Sequence, residues 1–130
     1  MTIELTYLAA TLILALVQIL LPAAGRTARY GLKWNAGPRD ADVPPPGRVT
    51  GRLERAQDNL YETLPLFIGA VLIAYLAGRT GAMTAWGAAL YFWARLIYIP
   101  LYAFGVPFVR SLVWLAALAG LILILAALFI

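Results

Sequence analysis

Apolar residues fall into four long runs, separated by three polar connections, and these runs predict four helices. The first run, residues 3–24, carries only Glu4 and Gln18 as strongly polar groups and predicts a helix over about 3–29. Residues 1–6 contain no Lys or Arg, so the run reads as a permanent helix rather than a cleaved signal peptide. The second helix opens in a stretch dense in charge and amide groups, residues 52–67, and continues without a loop into the apolar residues 64–77. As one helix, 52–77 would be about 39 Å long, against a bilayer core of about 30 Å, so its polar start sits at a membrane face. The third helix is expected over about 83–104 and the fourth, after Pro107, over about 108–130. At about 20 residues per span, four spans and their connections use up the chain. The expected architecture is all-α: a single domain over 1–130, an integral membrane four-helix bundle.

The connections set the orientation. Residues 30–51 form the one long loop, with triple proline at Pro44, Pro45 and Pro46 favouring an extended segment over helix. Arg26, Arg29, Lys33, Arg39 and Arg48 lie in or beside it, which makes this the cytoplasmic side. Tyr30 and Trp34 suit the interface there. The short turn at 78–82 makes the second and third helices antiparallel neighbours, and Ala116 with Gly120 forms a small-xxx-small pair for close packing. Pro65 and Pro100 each free a carbonyl four residues earlier, at Tyr61 and Leu96.

Composition narrows the chemistry. The chain is 63% hydrophobic and 12% charged, where a soluble domain has about 25% charged residues. Its net charge of +4 comes mainly from one connection, so membrane orientation accounts for it and nucleic acid is not an expected partner. There is no Cys and no His, which removes disulfides, protein thiolates and the commonest metal ligand. No metal site is expected, and any thiol chemistry must use a thiol that a ligand brings.

Two polar stripes enter the membrane from the cytoplasmic side. Arg55, Asn59 and Glu62 stand at i, i+4 and i+7 on the second helix; Arg95, Tyr98 and Tyr102 stand at i, i+3 and i+7 on the third. Counting about 1.5 Å per residue inward from each helix end puts Glu62 level with Arg95 and Asn59 level with Tyr98. An ion pair between Glu62 and Arg95 is therefore expected, and by itself it could serve only to hold two helices together. With Glu54 and Asp58 expected to turn elsewhere, Arg52, Arg55, Arg95 and Arg110 outnumber Glu62, and surplus cation invites an anionic ligand.

These segments resemble a known family. Residues 55–62, Arg-Ala-Gln-Asp-Asn-Leu-Tyr-Glu, with Pro65-Leu66-Phe67, are similar to the second-helix signature of the MAPEG proteins, the membrane-associated proteins in eicosanoid and glutathione metabolism. Residues 94–102, followed by Arg110-Ser111-Leu112, resemble the other signature. The resemblance implies a homotrimer with glutathione, as co-substrate, bound between neighbouring subunits near the cytoplasmic face. Arg55, Asn59, Glu62, Arg95, Tyr98 and Tyr102 match residues that cradle the tripeptide, with Arg52 as a further cation. Arg110 matches the catalytic arginine that stabilises the thiolate, and Arg29 or Lys33 could add a carboxylate contact. Thr63 and Ile97 depart from the eicosanoid enzymes, which argues against a leukotriene-type or prostaglandin-type substrate.

The implied activity is thiolate transfer to a lipophilic electrophile, or reduction of a lipid hydroperoxide, by a short bacterial-type member in the inner membrane. The alternatives are a glutathione- or lipid-binding protein of the same fold without turnover, and a small four-helix transporter. The transporter would need a membrane-embedded acid, and Glu4 lies at the very terminus.

Overall fold

The computed structural model describes all of residues 1–130. It contains α1 (Ile3–Tyr30), α2 (Leu32–Ala36), α3 (Arg48–Leu76), α4 (Ala82–Ala103) and α5 (Pro107–Ala127), with no strand. Four of these are long, and their limits have local causes. Thr2 caps α1 by accepting from the Leu5 amide at 3.2 Å. Pro107, already restricted in φ, opens α5. The turns after α3 and α4 pass through Gly78 and Gly105 in the left-handed region, at φ 67° and 71°.

The long connection is shorter than expected. Residues 32–36 form the helical turn α2, and α3 starts at Arg48 rather than near residue 52. The extra turn is held by close contact with α1: at Gly25 an added Cβ would come within 2.2 Å of the Thr50 hydroxyl on α3. An ion pair between Arg26 and Glu54 (3.6 Å) continues the same contact.

The long helices lie side by side. α1 and α4 run parallel, joined near their starts by a bond from the Thr84 hydroxyl to the buried Glu4 carboxylate. Further along, at less than one turn on in α1 and about two and a half turns on in α4, the Trp93 indole donates to the Tyr7 hydroxyl at 3.1 Å. α3 runs antiparallel to both. α4 and α5 share the most extensive interface and cross at two glycines: a Cβ on Gly87 would lie 2.6 Å from the Gly120 carbonyl oxygen, and one on Gly120 would lie 2.6 Å from that of Gly87. Gly120, expected to pack closely, does so through this pairing. Between the helices lie Leu60, Phe67, Val71, Tyr91, Leu121 and Ile124, all fully or almost fully buried. The Phe67 and Tyr91 rings stack at 4.1 Å, and the Tyr91 hydroxyl meets that of Thr63 at 2.8 Å. Among apolar surroundings such contacts act by dispersion and hydrogen bonding more than by removing surface from water.

Three helices, α1, α3 and α5, are long and apolar enough to cross a membrane. Large apolar side chains such as Ile13, Leu20, Leu112 and Ile122 point outward, away from the other helices, as lipid contact requires. α4, with 22 residues, is about 33 Å long and has the length to span. Its apolarity is diluted by Trp86, Tyr91, Trp93, Arg95, Tyr98 and Tyr102, of which Tyr91, Arg95 and Tyr98 are buried against its neighbours.

Candidate functional site

A cleft of about 570 Å³ opens between α3, α4 and α5 near their loop-side ends. That lies within the span of about 300–1,000 Å³ usual for small-molecule sites. From α3 come Arg55, Asp58, Asn59 and Glu62, at i, i+3, i+4 and i+7. α4 supplies Tyr98 and Tyr102, one turn apart. α5 supplies Arg110 and Ser111 from its first turn, and Trp114 and Leu115 from the next. The cleft is therefore charged along α3, aromatic along α4, and graded from charged to apolar along α5.

Two guanidinium groups converge on one ring. The Cζ of Arg110 lies 4.6 Å, and that of Arg55 5.9 Å, from the centre of the Tyr102 ring, which itself meets Tyr98 edge-on at 5.6 Å. Cation–π attraction to a shared ring keeps two like charges close, which repulsion would otherwise oppose. Arg110 also stands in the first turn of α5, where unpaired backbone N–H groups add positive potential.

Arg95 sits behind this wall. It is only 1% exposed, its Cζ is 4.4 Å from the Tyr98 ring centre, and its Nη1 donates to the Asn59 side-chain oxygen at 2.7 Å. The expected Glu62–Arg95 ion pair does not form: the only ion pair in the structure joins Arg26 to Glu54. The depth count was adequate, but depth leaves rotation about the axis undetermined. Three residues beyond Asn59, Glu62 lies about 60° round α3, exposed at the cleft, whereas Asn59 turns partly inward to Arg95. Glu62 is thereby left without a protein partner, and the Nε and Nη2 of Arg95 are buried without acceptors.

Of the residues singled out from sequence, Arg55, Asn59, Glu62, Tyr98, Tyr102 and Arg110 line the cleft, and Arg95 supports it from behind. Arg52 does not reach it. Its Nη1 donates to the Ala103 carbonyl at 3.3 Å, and its guanidinium lies where a side chain on Gly105 would stand, so it caps the end of α4. Arg29 is exposed at the end of α1, beside Gly47, and Lys33 lies in α2; neither lines the cleft of this chain.

Asp58 was expected to turn away, yet it lines the cleft; only Glu54 turns elsewhere, to Arg26. Its position three residues after Arg55 and four before Glu62 was a legible signal for the same face. Trp114 and Leu115 were not singled out either, although they follow Arg110 by one helical turn. With Asp58 counted, two cations (Arg55, Arg110) and two acids (Asp58, Glu62) line the cleft, and Arg95 behind adds one further positive charge. The surplus is thus smaller than the sequence suggested, and the site favours a ligand carrying charges of both signs.

The model of the MAPEG family matches residues 7–130, nearly the whole chain. No curated protein and no solved structure matches it.

Proposed function

The chain belongs to the MAPEG family, and from that premise we propose that it is a glutathione-dependent membrane enzyme working in the α3–α4–α5 cleft. The observation that carries this reading is the charge pattern of the cleft wall. Glutathione has one ammonium, two carboxylates and a thiol. Unpaired Glu62, with Asp58 one turn away, suits the ammonium; Arg55 and the field of Arg95 suit the carboxylates, and the tyrosine edges suit the peptide backbone. Arg110 and the first turn of α5 lie where a thiol would meet both a cation and helix N–H groups, which lower its pKa and raise the thiolate fraction.

The second substrate is a lipophilic electrophile or lipid hydroperoxide entering from the bilayer beside Trp114 and Leu115. Orientation of the two substrates and stabilisation of the thiolate supply the rate, so the protein needs no nucleophile of its own. α4 crosses the membrane with the other three long helices, giving a four-span protomer in the inner membrane of a bacterium, its long loop cytoplasmic. The open side of the cleft is closed by a neighbouring copy in a homotrimer, whose Arg29 is a candidate contact for a glutathione carboxylate.

The test is titration of the detergent-purified protein with glutathione while following ultraviolet thiolate absorbance, then addition of a chlorodinitrobenzene. Saturable thiolate formation and conjugate release support the enzyme. Binding without a thiolate signal supports a glutathione-binding protein without turnover, and no binding overturns the proposal.

A further inference from the structure

A second pocket, of about 440 Å³, lies between the end of α1, the short α2 and the loop that follows. Its working groups are Tyr30, Lys33, Trp34, Arg39 and Asp40. Tyr30 and Trp34 pack at 4.6 Å between ring centres, and the Arg39 Cζ lies 4.8 Å from the Trp34 ring centre. The Arg39 backbone is left-handed, at φ 61°, a conformation that residues other than glycine rarely adopt. What holds it is a set of contacts. Arg39 Nε and Nη2 donate to the Asn35 carbonyl at 3.3 and 3.2 Å, and the Asn35 amide donates to the Thr27 hydroxyl at 2.9 Å. Tyr30, in turn, donates to the Pro44 carbonyl and fixes the far side of the loop. Nη1 of Arg39 makes no hydrogen bond within the chain, and Lys33 is exposed without an ion pair.

We infer that this pocket binds the phosphate headgroup of an anionic membrane phospholipid. Two cations against the one carboxylate of Asp40 leave a net positive charge, and two aromatic rings, Tyr30 at the end of α1 and Trp34 just beyond it in α2, follow a helix long and apolar enough to cross a membrane, the usual place of interfacial Tyr and Trp. A lipid rather than free phosphate is the occupant because apolar side chains flank the charges. Leu32, 77% exposed, adjoins Lys33, and the half-exposed Val43 lines the pocket itself. Such side chains suit acyl chains and gain nothing from a soluble anion. The inference stands independently of the glutathione reading, since none of these residues lines the other cleft.

The test measures lipid retained by the full chain in neutral detergent, by native mass spectrometry, with added phosphatidylglycerol or phosphatidylcholine. The wild type should retain phosphatidylglycerol in preference. Lys33→Gln should weaken this about fivefold, the worth of one cation near an anionic surface. Arg39→Gly should do the same; glycine adopts the left-handed backbone freely, which offsets the loss of the Asn35 contacts. Arg48→Gln, which removes an exposed cation outside the pocket, should leave retention unchanged. An equal loss with Arg48→Gln would mean a diffuse basic face and overturn the site. Equal retention of the two lipids, or capture of soluble glycerol phosphate as tightly as of lipid, would overturn the choice of ligand.

Discussion

Arg95 and Arg110 are both arginines at the same end of the molecule, and their surroundings give them different work. Arg95, buried against Tyr98 and bonded to Asn59, has little freedom to approach a ligand; in the proposed enzyme it positions Asn59 and contributes its field. Arg110, partly exposed over Tyr102 at the start of α5, can touch one. Arg110→Ala is therefore expected to lower conjugation on the order of a hundredfold, the scale seen when a charge-stabilising donor is removed, with the assembly unchanged by cross-linking. Unchanged turnover would move the thiolate role to Arg55. Glu62→Gln removes a charge that no protein group neutralises, so the expected cost falls on the ligand: glutathione affinity about 10- to 100-fold weaker by calorimetry, the worth of a charge-assisted hydrogen bond. Arg52→Ala should behave in the opposite sense. Its bond to Ala103 at the end of α4 predicts a loss of about 1 kcal/mol of stability, read as a lower melting midpoint, with glutathione affinity unchanged.

At the scale of the helices, the site depends on how α5 is seated, because Arg110, Ser111, Trp114 and Leu115 all travel with it. The seat is the crossing of Gly87 and Gly120, where the backbones approach too closely for a Cβ. Gly87→Ala is expected to cost about 1–3 kcal/mol through forced separation of α4 and α5, lowering the detergent melting midpoint and weakening glutathione binding together. Gly69→Ala makes the contrasting case. Nothing lies within 4 Å of the added methyl on α3, so helix propensity alone predicts an unchanged or slightly higher midpoint. A similar loss in both variants would show that the cost comes from glycine replacement in general rather than from the crossing. Thr63 belongs to this scale as well. Beside Glu62 it faces inward and clasps Tyr91 across α3 and α4, so its hydroxyl is committed to that contact and not to a ligand thiol.

For the whole molecule, the amphipathic layout predicts a topology that can be measured directly. The chain has no Cys, so single cysteines report without background. Pro45→Cys in the long loop and Thr80→Cys in the turn after α3 are both at exposed positions. A membrane-impermeant maleimide should label them from opposite sides, Pro45→Cys from the cytoplasm. Labelling of both from one side would contradict a spanning α3. The cleft is open to its surroundings, and the outward apolar faces of the long helices are available both to lipid and to further copies of the chain. For the proposed homotrimer, native mass spectrometry should give a trimer, and a monomer that still bound glutathione would remove the need for a neighbour's residues.

Much of this protein could be read without coordinates. Long apolar runs can only be satisfied by helices in a low-dielectric surrounding, so the number and order of the long helices followed from hydrophobic length, and glycine and proline marked their ends to within a few residues. Helical spacing likewise grouped Arg55, Asn59 and Glu62, and the i+4 step joined Tyr98 to Tyr102. Rotation about each axis was decided only by tertiary contact. A period of 3.6 says which residues share a face, whereas the neighbour chosen by that face depends on where backbones can approach, as at Gly87 and Gly120, and on which side chains fill the space between. That is why Arg95 turned inward to Asn59 and left Glu62 open, why Asp58 joined the cleft while Arg52 became a helix cap, and why Trp114 and Leu115 came to stand beside them.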